Sequence, residues 1–223
     1  MHIQDNLQNL LKIIKPEFTK LIAVSKTHPP ERLMEAYQFG WRRFGENKVQ
    51  EMVDKYEKLP KDIEWHLIGH LQTNKVKYIA SFVHLIHSVD RTKLLEEINK
   101  QAQKQGRVIP CLLQIHIADE ESKFGFSYPE VRELLQSSLL SSLAHVQIRG
   151  LMGMATFTDD EDKVRSEFRG LRAFFDEMKT HSLPDQVSLQ ELSMGMSNDY
   201  EIALEEGSTM IRIGTAIFGS RGQ

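Results

Sequence analysis

The chain is poor in the features that mark several large classes of protein. It has one cysteine, Cys111, so no internal disulfide can form. Its place in the apolar run Cys111-Leu112-Leu113-Gln114-Ile115 suits a small core residue better than a nucleophile. No apolar run approaches the length of a membrane span. The opening residues Met1-His2-Ile3-Gln4-Asp5-Asn6 lack the basic-then-apolar pattern of a secretory signal, so the expected location is cytoplasmic. Positive charge is not in excess either: a net charge of −3 gives no basic field for nucleic acid or an anionic membrane. No Pro/Gly/Ser-rich linker, internal repeat or low-complexity tract divides the sequence. What remains is 223 residues, 40% hydrophobic and 26% charged, the balance of one globular α/β domain.

Ile3, Leu7, Leu10, Leu11 and Ile14 recur at helical spacing, so a short amphipathic helix opens the chain. Strand-like segments follow at Leu21–Lys26, Arg42–Glu46, Trp65–His70, Leu85–Val89, Cys111–Ile117, Ile148–Ala155, Leu189–Met194 and Met210–Ile217. Helical stretches alternate with them at Glu31–Phe39, Lys48–Glu57, Asn74–Ser81, Thr92–Gln105, Pro129–Ser141, Asp160–His181 and Tyr200–Glu206. Pro29-Pro30, Asp90 and Ser127 supply start signals, and Gly40 and Gly106 supply stops. The order predicts a single (β/α)8 TIM barrel over residues 1–223, with an open doubly wound sheet as the alternative.

Lys26 closes the run Leu21-Ile22-Ala23-Val24-Ser25-Lys26 just before Pro29-Pro30, where a buried strand gives way to a loop. In an α/β barrel that end carries the chemistry. An amine against an apolar wall can be deprotonated to attack a carbonyl; a surface lysine with its stem along the strand end is the plain alternative. In Met210–Gly219, alternation sets Arg212 opposite Ile211 and Ile213, so a barrel would bury it and require a partner, structural or functional. Gly214 allows close backbone approach, and its N–H with that of Thr215 suits an anion. Ser197, Asn198 and Asp199 stand before a short helical pattern, where a hydroxyl either caps the helix or helps to hold an anion.

His66, His70, His84 and His87 do not have metal-ligand spacing. No glutamate follows His66 as in HExxH, and no acidic or thiolate cluster in the sequence completes a shell, so no metal is expected. Met152 and Met154 share a strand face, where core packing is the default.

Six short motifs, in order along nearly the whole chain, resemble the pyridoxal phosphate homeostasis proteins. They are Ala23-Val24-Ser25-Lys26-Thr27; Phe44-Gly45-Glu46-Asn47 with Val49-Gln50-Glu51; Trp65-His66-Leu67-Ile68-Gly69 with Leu71-Gln72-Thr73-Asn74-Lys75; Gly150-Leu151-Met152; Leu192-Ser193-Met194-Gly195-Met196-Ser197; and Arg212-Ile213-Gly214-Thr215-Ala216-Ile217-Phe218-Gly219. The resemblance implies one barrel like the N-terminal domain of alanine racemase, the type III fold of proteins that hold pyridoxal 5′-phosphate (PLP). It implies that Lys26 forms an imine with the cofactor, that Arg212 faces the pyridine nitrogen, and that Ser197, Gly214 and Thr215 hold the phosphate. Asn47, and Met194 or Met196, would line the pocket. Two residues depart from the family pattern: Lys48 where an aromatic residue is common, and His70 where proline is common.

An arginine keeps its proton, so it does not protonate the ring nitrogen fully, and broad carbanion chemistry is disfavoured. The length leaves no room for the second domain that completes an alanine racemase. The expectation is therefore a monomeric PLP carrier that buffers the cofactor or delivers it to apo-enzymes, without robust turnover. A PLP-dependent amino-acid racemase is the alternative, and an aldolase using Lys26 without PLP a more distant one.

Overall fold

The computed structural model describes residues 2–119 and 124–219. The opening amphipathic segment is helix α1, Ile3–Ile14, burying Ile3, Leu7, Leu10 and Ile14. Eight parallel strands then close into a barrel in sequence order. They are β1 (Lys20–Val24), β2 (Arg43–Glu46), β3 (Glu64–Leu67), β4 (Leu85–Val89), β5 (Ile109–Gln114), β6 (Val146–Met152), β7 (Val187–Ser193) and β8 (Met210–Ile213). Closure is made by β8 on β1, in register from Lys20 opposite Met210 to Ala23 opposite Ile213. The barrel expected from the alternating segments is thus the fold, and the open sheet is not.

The connecting helices are α2 (Pro30–Gln38), α3 (Val49–Lys58), α4 (Val76–Ile79) after a 3-10 turn, α5 (Thr92–Lys104), α6 (Tyr128–Gln136), α7 (Ser138–Ser142), α8 (Glu161–Lys179), α9 (Tyr200–Glu205) and α10 (Thr215–Phe218). Where they differ from the sequence reading, local chemistry explains it. The stretch Pro129–Ser141 is two helices, because Ser137 is extended at ψ 152° and caps between them. Ser127 does start α6, through a capping box with Glu130. Asp90 does not cap α5; Arg91 holds the N-cap position, and Asp90 bonds His70 and Arg91 instead. The last segment, Met210–Ile217, is a strand only to Ile213 and then turns at Gly214 into α10.

The main core lies between the outer face of the barrel and the helices, around Phe44, Trp65, Leu94, Phe168 and Leu171. A smaller cluster joins Ile22, Leu85, Leu112, Met152 and Met210. These come from five strands spaced around a closed barrel, so they can meet only inside it. No helix among the described residues is long and apolar enough to cross a membrane.

Candidate functional site

A cavity of about 790 Å³ opens at the C-terminal ends of the strands, a volume within the usual range for small-molecule sites. Its lining comes from nearly every strand end: Val24 and Lys26 on and after β1, Asn47 after β2, Gly69 after β3, Met196 and Ser197 after β7, and Arg212 with Gly214 and Thr215 on and after β8. Sequence-distant residues converge because a parallel barrel brings every C-terminal strand end to one face.

Strand β1 stops at Val24, two residues short of the sequence reading, and Ser25-Lys26-Thr27 forms a turn closed by His28 N–H on Ser25 O at 3.1 Å. Thr27 sits at φ +69°, a conformation that costs a β-branched residue and persists only when its surroundings enforce it. Here they do. Lys55, 4% exposed on α3, donates to Ser25 O at 2.8 Å, to Glu46 Oε1 at 2.7 Å and to Glu51 Oε1 at 2.8 Å. Ser25 Oγ donates to the same Glu46 oxygen at 2.6 Å, and Thr27 N–H donates to Glu51. Burial pushes the Glu46 carboxyl up to about 7, although Lys55 and the Ser25 hydroxyl pull it down. A buried cation held between two carboxylates thus clamps the turn that presents Lys26. The sequence reading missed this clamp. The Glu51–Lys55 spacing of four is a visible helix pair, but its inward direction becomes apparent only in the fold.

Arg212 is buried inside the barrel, and carbonyls and a hydroxyl hold it rather than a paired carboxylate. It donates to Ser193 O at 2.8 Å, to Ser193 Oγ, and to Gly153 O at 3.0 Å. Burial lowers its pKa to about 10, with Asp199 opposing the fall, so it remains a cation at neutral pH. Ser193 Oγ lies 3.0 Å from His87 Nδ1, and His87 Nε2 lies 2.9 Å from His66 Nδ1. A hydrogen-bonded chain therefore runs from Arg212 down the interior.

On the other flank, Gly214 N–H donates to Ser197 Oγ at 3.4 Å. Thr215 opens α10, where the first N–H groups have no helical acceptor. The glycine at 214 has a packing reason as well: a Cβ there would lie 3.0 Å from Val24 O. Gly69 is required more strictly, since a Cβ would come within 2.7 Å of Asn47 Cα. Asp199 accepts from Met196 N–H, and its pKa is raised, chiefly by burial.

Lys26, Asn47, Met196, Ser197, Arg212, Gly214 and Thr215 all line the cavity. Met194 does not, and here the sequence reading needs correction. Ser193 faces the interior, so alternation turns Met194 outward, where it is fully buried in the main core. Met152 fills the barrel interior, whereas Met154 lies beyond the end of β6 and lines the cavity. His70 stands at the mouth, with Nδ1 3.1 Å from Asp90 Oδ2. Lys48 is exposed outside the lining.

Comparisons with known proteins bear on the family and the fold. The family model of the alanine racemase N-terminal domain matches residues 1–222. A pyridoxal phosphate homeostasis protein of Aquifex aeolicus is 45% identical, with 91% of this chain and 87% of that protein aligned. One of Pasteurella multocida is 41% identical, with 98% and 94% aligned. The solved structure of PipY from Synechococcus elongatus with PLP bound is 40% identical, with a TM-score of 0.86 over 97% of this chain and 100% of that one. An alanine racemase of Bartonella henselae, 18% identical with a TM-score of 0.72, shares the fold; this chain spans 61% of its length.

Proposed function

Because the chain belongs to the pyridoxal phosphate homeostasis proteins, within the alanine racemase N-terminal domain family, we propose that it binds PLP in the barrel-end cavity. In this reading it acts in cytoplasmic PLP homeostasis as a monomer, buffering the cofactor or passing it to apo-enzymes, without robust turnover. The observation that carries the reading is the convergence, in one cavity, of Lys26, the buried Arg212 and the Ser197–Gly214 pair.

The donor set fits the cofactor. When bound, PLP would supply an aldehyde for the Lys26 amine. The Lys55 clamp fixes the turn and so aims that amine. Ser197 Oγ and the N–H groups of Gly214 and Thr215 would hold the phosphate. Arg212 would face the ring nitrogen as a hydrogen-bond donor. Its pKa of about 10 and its bonds to Ser193 and Gly153 keep its proton in place. Asn47 and Met196 would border the ring.

Support for weak turnover comes from the lining. Racemisation needs acid/base groups on both faces of the substrate carbon. Among the described residues the cavity is lined by no tyrosine; besides Lys26 its acid/base side chains are His70, paired with Asp90 at the mouth, Asp199, which accepts from Met196 N–H, and the exposed Asp159 and Glu161. The test is incubation of PLP-loaded protein with L- or D-alanine in deuterated water, followed by addition of an apo-enzyme. Negligible α-deuterium uptake with steady transfer of PLP is expected. Turnover in the ordinary enzyme range of roughly 1–1,000 per second would replace this reading with a racemase.

A further inference from the structure

At the other end of the barrel, β3 begins with Glu64, and His66 follows two residues later on the same face of the strand. His84 immediately precedes β4. One carboxylate oxygen and one nitrogen of each imidazole lie within 4.8 Å of one another. Adjacent, hydrogen-bonded strands supply the three groups, so the sheet itself builds the cluster. Sequence spacing hides it, because 18 positions separate His84 from His66.

A second observation points to a ligand. His66 is 2% exposed, and its Nε2 is buried with no hydrogen-bond partner, a state that native structures seldom leave unexplained. Its Nδ1 is meanwhile fixed by His87 at 2.9 Å, and His87 by Ser193 at 3.0 Å. An imidazole anchored through one nitrogen with the other bare is the arrangement of a metal ligand backed by an outer partner. His84 is exposed and Glu64 is partly so, which leaves an entry path from solvent.

We propose that Glu64, His66 and His84 form a binding site for a divalent transition-metal ion of the zinc class, with solvent completing the shell. Two imidazoles and a carboxylate are the donors preferred by zinc and its neighbours, whereas magnesium and calcium favour all-oxygen shells. With the ion on Nε2, His66 Nδ1–H donates to His87 Nε2. Three nearby cations oppose the ion; one, Arg107, is held by the carbonyls of Ala80 and Val83. Arg43 shares Glu64 at 3.2 Å, but both side chains of that pair are more than a third exposed, so the pair is weak and can open. Lys20 is already engaged by Glu191. This site is independent of the PLP reading and lies at the opposite end of the barrel from that cavity.

The test uses the full chain, freed of any tag and treated with chelator. Zinc is titrated in competition with a chromophoric chelator, and cobalt is followed through its visible d–d absorption. One equivalent per chain is expected. His84→Ala and Glu64→Gln should each weaken binding about tenfold or more, the scale of losing a group that shapes a metal shell. His84 is exposed, so its replacement leaves the fold intact, which circular dichroism would verify. Absence of stoichiometric binding, or equal affinity in the wild type and His84→Ala, would overturn the proposal.

Discussion

Lys55→Met keeps most of the volume of a buried side chain while deleting the charge that clamps the Lys26 turn. Lys55 is 4% exposed and holds Glu46, Glu51 and Ser25 O at 2.7 to 2.8 Å. Removing one member of a buried pair costs about 3–5 kcal/mol, because the remaining charge is left uncompensated. Glu46 limits that cost by taking up a proton. In the wild type its folded pKa is raised from 4.5 to about 7. The folded state therefore holds this proton more tightly than the unfolded one, and the associated stability is full below pH 4.5 and is lost as pH rises to about 7. Without Lys55 the carboxyl should move toward about 8–9, the range of carboxyls buried without a cation. At pH 5 Glu46 is then protonated in both proteins. At pH 8 the wild type ionises and the variant largely does not. One pH unit is worth about 1.4 kcal/mol, so the substitution should cost about 1 kcal/mol more at pH 8 than at pH 5. Urea unfolding followed by circular dichroism at the two pH values measures both quantities. A penalty below about 1 kcal/mol at pH 8, or one that does not change with pH, would refute the clamp.

Three further outcomes follow from the same geometry. Ser197→Ala should weaken PLP binding by about 1–2 kcal/mol, one charge-assisted hydrogen bond, and pyridoxal binding far less; equal losses in parallel titrations would reduce Ser197 to a structural role. Gly69→Ala should destabilise the fold by about 1–3 kcal/mol through overpacking, because its Cβ meets the Asn47 backbone; an unchanged melting temperature would show that this contact relaxes freely. Thr27→Gly should leave stability unchanged or slightly raised by relieving a φ of +69°, yet lower PLP affinity by loosening the turn; a clear loss of stability would show that Thr27 is not strained.

The sequence revealed the barrel well because short strand-like segments alternate with helical ones and turn signals punctuate them. Leu85–Val89 was read with the bounds it has, with the polar run Asp90-Arg91-Thr92 closing it. Strand ends were harder to place. Apolar character continues past the end of β8 in Ala216-Ile217, and no turn residue separates Val24 from Ser25-Lys26 at the end of β1, so only pairing geometry decides where these strands stop. The cavity residues were legible as positions after strands, since every C-terminal strand end faces one way. Met194 was not, because Met194 and Met196 would share one face of a continuing strand; β7 ends at Ser193 and Gly195, at φ +95°, breaks the alternation between them. The Glu46–Lys55–Ser25 clamp and the Glu64–His66–His84 group were hidden for a related reason. Each joins separate elements whose adjacency exists only once the barrel closes.

The central claim, that this chain carries PLP on Lys26, is tested most directly by reducing the PLP-loaded protein with borohydride and mapping the labelled peptide. The account predicts a visible absorption band that borohydride abolishes, a single pyridoxyl label on the peptide containing Lys26, and neither band nor label in Lys26→Ala. A label on another lysine such as Lys75, or on Lys123, which lies outside the described residues, would contradict it, as would an undiminished band in Lys26→Ala.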